Sequence, residues 1–219
     1  PVPADLDAYL TSLGANFRRS LRKARNRLRA RSDAVFRHLT GADADPHYLD
    51  TFMDLEAAGW KGTMGALRDE PMMLAFYRAL LRRLARSGRL EWHMLEIAGR
   101  PAALHLGMRT GRALALVRIA YDEAHARLSP GTLLLADLLE RCVERRDVDV
   151  IDCITNAPWH DRWDMEPAAY RAVQIHARRP LPLLLEAAPL GLREGIRRWP
   201  ALRALARRLR RTGKPTSDA

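Results

Sequence analysis

The sequence predicts an α/β (α+β) domain, a sheet built around an antiparallel meander and flanked by helices. Three observations carry this. Residues 90–98, 101–108 and 113–120 are strand-type runs joined by the short turns Gly99-Arg100 and Thr110-Gly111. Two long segments ahead of them, 5–30 and 70–87, repeat apolar residues at helical spacing. Residues 112–145 read as a strand, a polar loop and an amphipathic helix, and everything after them is shorter and more broken.

Composition narrows the class. The chain has 219 residues, 47% hydrophobic and 29% charged, which is enough for one sizeable globular domain or two small ones. Cys142 falls in a helix pattern and Cys153 in a strand pattern, so both read as reduced and buried rather than as a disulfide framework. Cys and His spacing offers no zinc motif, and no metal is expected. No apolar run is long enough to span a membrane and no signal peptide is present, so a cytoplasmic location is expected. The start at Pro1 fits a fragment or a processed form. Net charge is +11 and almost all of it is arginine, since the only lysines are Lys23, Lys61 and Lys214. That balance favours anionic partners: nucleic acid, anionic lipid, an acidic carrier or a phosphorylated cofactor.

Taken in order, residues 5–30 are expected as one helix. Leu10, Leu13, Phe17, Leu21, Ala24 and Leu28 form its apolar stripe, and Arg18, Arg19, Arg22, Lys23, Arg25, Arg27, Arg29 and Arg31 its basic face. The face reads either as a solvated one, with arginine stems covering apolar surface, or as a phosphate or membrane contact. Residues 34–39 are a short strand candidate and 47–58 a helix with Tyr48, Phe52 and Leu55 on one side. Gly59-Trp60-Lys61-Gly62 follows, either a glycine helix end with Trp60 as an apolar lid or a shaped functional loop. Met73, Phe76, Tyr77, Leu80, Leu81 and Leu84 make 70–87 a helix, ended by Gly88. His93 and His105 fall on meander strands and read as hydrogen-bonded sheet residues before they read as bases.

The helix at 131–145 is opened by Ser129-Pro130-Gly131. Ser129 is expected to cap it, Pro130 suits the first helical position, and Gly131 leaves the backbone uncovered. Amides freed at such a start, with the positive end of the helix dipole, suit a phosphate, although an ordinary strand–loop–helix joint has the same sequence. Residues 148–154 are a strand in which Asp152 is either a structural hydrogen-bonder or an acid/base group. Residues 156–163 are an aromatic, polar loop in which Trp159 and Trp163 flank His160 and Asp161. Residues 170–178 alternate as a last strand. From Pro180 the composition shifts to short, proline-punctuated, arginine-rich helices, which read as a packing appendage or an anionic-lipid contact. The division expected is a basic helix over 1–31, a core domain over 32–179 and a basic extension over 180–219.

The order of elements, together with Gly59-Trp60-Lys61-Gly62, Ser87-Gly88-Arg89-Leu90, Gly99-Arg100-Pro101-Ala102-Ala103, the run from Tyr121 to Gly131, and Val150-Ile151-Asp152, resembles the GNAT superfamily of acyltransferases. It is closer to a bacterial, CelD-like acetyltransferase branch related to the Fem-type peptidoglycan aminoacyl transferases. The resemblance implies the GNAT fold with a mixed central sheet, and acetyl-CoA or another acyl-CoA as co-substrate. It implies that Leu128, Ser129, Pro130, Gly131, Thr132 and Leu133 hold the coenzyme's diphosphate. Ile119, Ala120 and Tyr121 would pair with its pantetheine amides, and the strand ending at Asp152 would splay away to admit the thioester. Relatives often carry a lysine in the loop after that strand, where this chain has His160. Relatives also pair two such halves, so the lone half here implies a missing half-domain, with residues 1–31 as its remnant, or a homodimer that supplies the acceptor side.

An acyl thioester along the Ala120 strand would then meet a small-molecule amine. Asp122, Asp152 and His160 are the candidate proton acceptors. Trp60, Lys61, Asn156 and Trp159 are the candidate acceptor contacts, Lys61 for an anionic group on the acceptor. Two rivals stand beside this reading. One is a Fem-like transferase taking its aminoacyl group from aminoacyl-tRNA. The other is a non-catalytic module whose arginine-rich ends bind nucleic acid or an anionic membrane, at the inner membrane surface for instance.

Overall fold

The computed structural model describes residues 1–59, 67–155 and 157–169, and residues Pro1–Pro167 make up one compact unit. The expected strand over 170–178, the extension over 180–219, and Trp60, Lys61 and Asn156 lie outside the described residues. The elements in order are α1 (Leu6–Ser12), α2 (Ala15–Arg29), β1 (Ala34–Thr40), α3 (Tyr48–Ala58), α4 (Pro71–Arg86), β2 (Leu90–Ile97), β3 (Arg100–Thr110), β4 (Ala113–Tyr121), α5 (Pro130–Arg145) and β5 (Val150–Asp152). The strands form one sheet in sequence order. β1 to β4 are antiparallel and β5 joins β4 in parallel, which makes the sheet mixed.

Strand alternation sorts the core into two layers. Leu95 and Ile97 of β2, Ala103 of β3, and Leu114 and Leu116 of β4 pack with Leu21, Ala24 and Leu28 of α2 and Leu134, Leu135 and Leu138 of α5. On the other face, Trp92 and Met94 of β2 and Leu104 and Leu106 of β3 pack with Leu49 and Phe52 of α3 and Leu81 and Leu84 of α4. Each such leucine contributes about 1.5–3 kcal/mol on full burial, so the run of buried leucines on α5 ties that helix firmly across the sheet. Two bulges adjust the phase. In β4 the register passes from Gly107↔Leu116 to Leu106↔Arg118, leaving Val117 as the extra residue. Beyond it Arg118 and Ala120 turn to the α3–α4 layer, while Ile119 joins the α5 layer.

Three expectations are corrected. The single helix over 5–30 is two, because the chain leaves helical geometry at Leu13 (ψ 157°) and Gly14 (ψ 135°), and Leu13 turns into the core. Asp5 caps the first, accepting the Ala8 N–H at 3.0 Å. The strand over 148–154 shortens to Val150–Asp152, because Asp152 Oδ1 accepts the Ile154 N–H at 2.8 Å and Ile154 takes φ +55°. Ser129 does occupy the N-cap position of α5, but in the left-handed region (φ 54°, ψ 54°) and without a side-chain capping bond. The loop before it is a 3-10 turn, Glu123–Leu128, capped instead by Asp122. Both cysteines are free, and burial pushes each thiol up to about 11.

Candidate active site

The early end of β5 shapes the site. β4 and β5 pair only over Ala113↔Val150, Leu114↔Ile151 and Ala115↔Asp152. β4 then runs on to Tyr121 while the segment after β5 turns away at Ile154, and the strands part. A cavity of about 630 Å³ occupies the opening. Leu116, Ile119, Ala120 and Tyr121 of β4 line one side and Thr155, Ala157 and Trp159 the other. Phe17 of α2, Leu135 of α5 and Trp163 wall it from the α5 layer, with the Phe17 and Trp163 rings edge to face at 4.9 Å. Trp163 is fixed further by the Tyr9 hydroxyl, which donates to its carbonyl. Burial, then the charge of Asp164, raises that hydroxyl to about 12, so it stays a donor.

The start of α5 forms one rim. Pro130 has no N–H, the Ser129 N–H donates to Ala126 O at 2.9 Å, and the Leu133 N–H returns to Ser129 O at 3.0 Å. Gly131 and Thr132 are left at the cavity with amides that have no backbone acceptor among the described residues. They carry the positive end of a 16-residue helix dipole. A Cβ at Gly131 would meet only Tyr121 Cδ1, at 3.8 Å, so a side chain there would fill the cradle without disturbing the protein.

Of the other residues singled out in the sequence, Ile119, Ala120, Tyr121, Ser129, Pro130 and Trp159 also line the cavity. Leu128 packs against the core and Leu133 is buried within it. Asp122 is not in the wall: its Oδ1 accepts the Ala124 N–H at 2.9 Å and its Oδ2 faces His125 Nδ1 at 3.1 Å. Asp152 likewise serves the turn that ends β5. His160 sits behind the wall, its ring edge-on to Trp159 at 4.1 Å and its Nε2 3.3 Å from Thr155 Oγ1.

Two polar wall residues are ones that sequence reasoning passed over as site residues, Glu56 and His105. Glu56 is 2% exposed; Oε1 takes Arg118 Nη1 at 3.0 Å and Oε2 takes the Leu67 N–H at 2.9 Å. Arg118 in turn lies over the Tyr77 ring at 4.9 Å. The signal was present, since Glu56 sits on the helical stripe of Leu49, Phe52 and Met53, where a carboxylate is costly unless paired. His105 is 3% exposed, and burial, then the charge of His38, lowers it to about 3, so the ring is neutral.

A family model described as an acetyltransferase (GNAT) domain matches residues 15–163. Among solved structures, FemX is similar in fold, with TM-score 0.53 and 11% identity over 73% of this chain and 56% of that one. A possible acetyltransferase from Clostridium difficile 630 has TM-score 0.49 and 14% identity over 67% of this chain and 99% of its own. Aminoglycoside N-acetyltransferase AAC(6')-Iy, in complex with CoA, has TM-score 0.43 and 11% identity over 67% of this chain and 95% of its own. No curated protein sequence matches the chain.

Proposed function

The chain belongs to the GNAT acetyltransferase family, and from that premise we propose that it moves an acyl group from an acyl-CoA to a primary amine in the cavity between β4 and β5. One observation carries the donor assignment: two helix-start amides, Gly131 and Thr132, face the cavity where the strands part. A diphosphate accepts hydrogen bonds and is stabilised by the helix dipole, so it fits that rim. The pantetheine arm then runs along the edge of β4 at Ala120 and Tyr121, bringing the thioester into the gap. The apolar wall of Phe17, Leu116, Leu135 and Trp163 suits the acyl group.

The amine approaches from the Glu56 and Gly59 side, where the sequence continues into Trp60 and Lys61. Glu56 places negative charge at that wall, and Arg118 and the Leu67 amide hold the carboxylate in place. Attack forms the C–N bond as the C–S bond breaks. Holding the two groups in contact supplies up to about 7–11 kcal/mol of the barrier, so the wall needs no strong base. Asp122 and Asp152 act on this reading by fixing backbone: one holds the turn into α5, the other ends β5 and opens the gap.

The exposed basic face of α2, with Arg19, Arg22, Lys23 and Arg29, lies on the helix that gives Phe17 to the wall. It supports a second reading, in which the acyl group arrives on a polyanionic carrier such as tRNA. A melting experiment separates the two. CoA at 100 times its dissociation constant should add about 2.7 kcal/mol, a rise of roughly 5–10 °C. No rise with CoA, acetyl-CoA or long-chain acyl-CoA overturns the thioester donor.

A further inference from the structure

Three imidazoles stand side by side beneath α5. His38 of β1 is directly opposite His93 of β2, and His93 is directly opposite His105 of β3. His93 and His105 are 2% and 3% exposed. His105 is in the cavity wall, so the row starts at the proposed acyl-transfer site. It ends on α5, where His38 Nε2 lies 2.5 Å from Asp137 Oδ2, and the Asp137 side chain is 29% exposed.

The hydrogen bonds have one direction. A carboxylate accepts, so His38 Nε2 carries a hydrogen toward Asp137. His38 Nδ1, 2.9 Å from His93 Nδ1, is then the acceptor of the His93 Nδ1–H. His93 Nε2 is left bare. It and His105 Nδ1 are both buried without a hydrogen-bond partner, two orphans on directly opposed residues of adjacent strands. Native interiors rarely leave such atoms unmatched. The two formed bonds run from His93 to His38 to Asp137, and the His105–His93 link is the one not closed at rest, with His105 Nδ1 as its donor.

Resting on the acyl-CoA reading above, we infer that His105, His93, His38 and Asp137 form a proton exit from the cavity to the surface. The proton has a source. An amine entering as ammonium brings one proton more than the products hold: ammonium and thioester give amide, thiol and one proton. That proton passes to the cavity side of the His105 ring, and, once the two rings turn to close the unbonded gap between them, the His105 Nδ1–H moves to His93 Nε2. The His93 Nδ1–H moves to His38 Nδ1, and the His38 Nε2–H moves to Asp137 and on to water. Each ring gives one proton as it receives one, so no buried imidazolium forms, and a turn of each ring restores the starting tautomers before the next turnover. Burial lowers His93 well below the usual histidine range, followed by the charges of His38, His105, Arg141 and Arg109, so a charge could not rest there. Glu91 Oε2 lies 3.4 Å from His93 Nε2 without hydrogen-bond alignment, its carboxylate being held by Arg109 at 2.8 Å. Among the described residues no group of three His, Cys, Asp or Glu has the arrangement of a metal site.

The test uses the full chain, acetyl-CoA and a panel of primary amines, with thiol release as the readout. Asp137→Asn and His93→Gln lie off the cavity wall. Each should lower kcat about 100-fold near pH 7 while the acetyl-CoA KM holds. The loss should fade as pH rises past the amine's own pKa of about 10, because a neutral amine brings no surplus proton. A loss equal at every pH, or no loss, overturns the relay. Ring-nitrogen NMR of the ligand-free chain needs no acceptor. It should show His93 protonated on Nδ1 and His105 neutral from pH 5 to 8, and an imidazolium at either overturns the relay. Failure of the donor reading shows separately, as no rise in wild-type melting temperature with CoA, and would remove the relay's source of protons.

Discussion

The junction between β2 and β3 and the junction between β4 and β5 solve opposite problems in one sheet. β2 and β3 pair from Leu90↔Met108 to Ile97↔Arg100, and their length shuts His93 and His105 away from water. β4 and β5 pair over three positions and then part, because Asp152 turns the chain at Ile154. Pairing that runs the length of both strands, with one bulge at Leu95/Glu96, gives a wall with neutral, buried rings. Interrupted pairing gives a cavity with backbone amides at its rim. The contrast teaches that this site comes less from unusual side chains than from where a strand stops.

The pH test should break the two junctions apart with the largest effect. An unfolded histidine titrates near 6.5, whereas His105 in the fold is lowered to about 3 and His93 is lowered as well. The unfolded chain therefore binds more protons below pH 6.5, and stability must fall as pH falls. An imidazole kept neutral costs up to about 1.4 kcal/mol per pH unit, so His105 alone costs roughly 2.5 kcal/mol between pH 6.5 and 4.5, and His93 adds to it in the same direction. Denaturant midpoints across that range should follow this slope, and His93→Gln should flatten it. A midpoint independent of pH would mean the rings are not buried neutral.

Trp163→Ala strikes the wall of the open junction and should destabilise by about 3–5 kcal/mol, since Trp163 is 2% exposed against Phe17. Gly131→Val is expected to leave melting of the free chain nearly unchanged, since its Cβ would meet only Tyr121. It should weaken CoA at least about tenfold, about 1.4 kcal/mol, measured by calorimetry. Asp152→Ala has a small expected effect, about 1 kcal/mol of stability for the lost acceptor of the Ile154 N–H. If Asp152 holds the gap open, CoA affinity should fall with it, and affinity unaltered in this variant would detach the gap from Asp152.

The meander and the helix opened by Pro130 were legible because their signals are local: strand runs cut by glycine turns, and a proline at a first helical position. The end of β5 was not, since a strand-type run does not reveal that an aspartate will take its own turn's amide. Nor was the left-handed Ser129, whose residue type fits an ordinary cap. Glu56 was half legible, a charge on an apolar stripe. The histidine row was hidden for a different reason. Periodicity assigns His93 and His105 to a face, but only register shows that His38, far away in sequence, stands in line with them.

The central claim is that the α5 amides grip the donor's diphosphate beside the parted strands. The most direct measurement is a titration of the ¹⁵N-labelled chain with CoA, followed by amide NMR. The account predicts the largest downfield shifts at the Gly131 and Thr132 N–H groups, with Ala120 and Tyr121 following. Saturable binding that leaves Gly131 and Thr132 unmoved would contradict it.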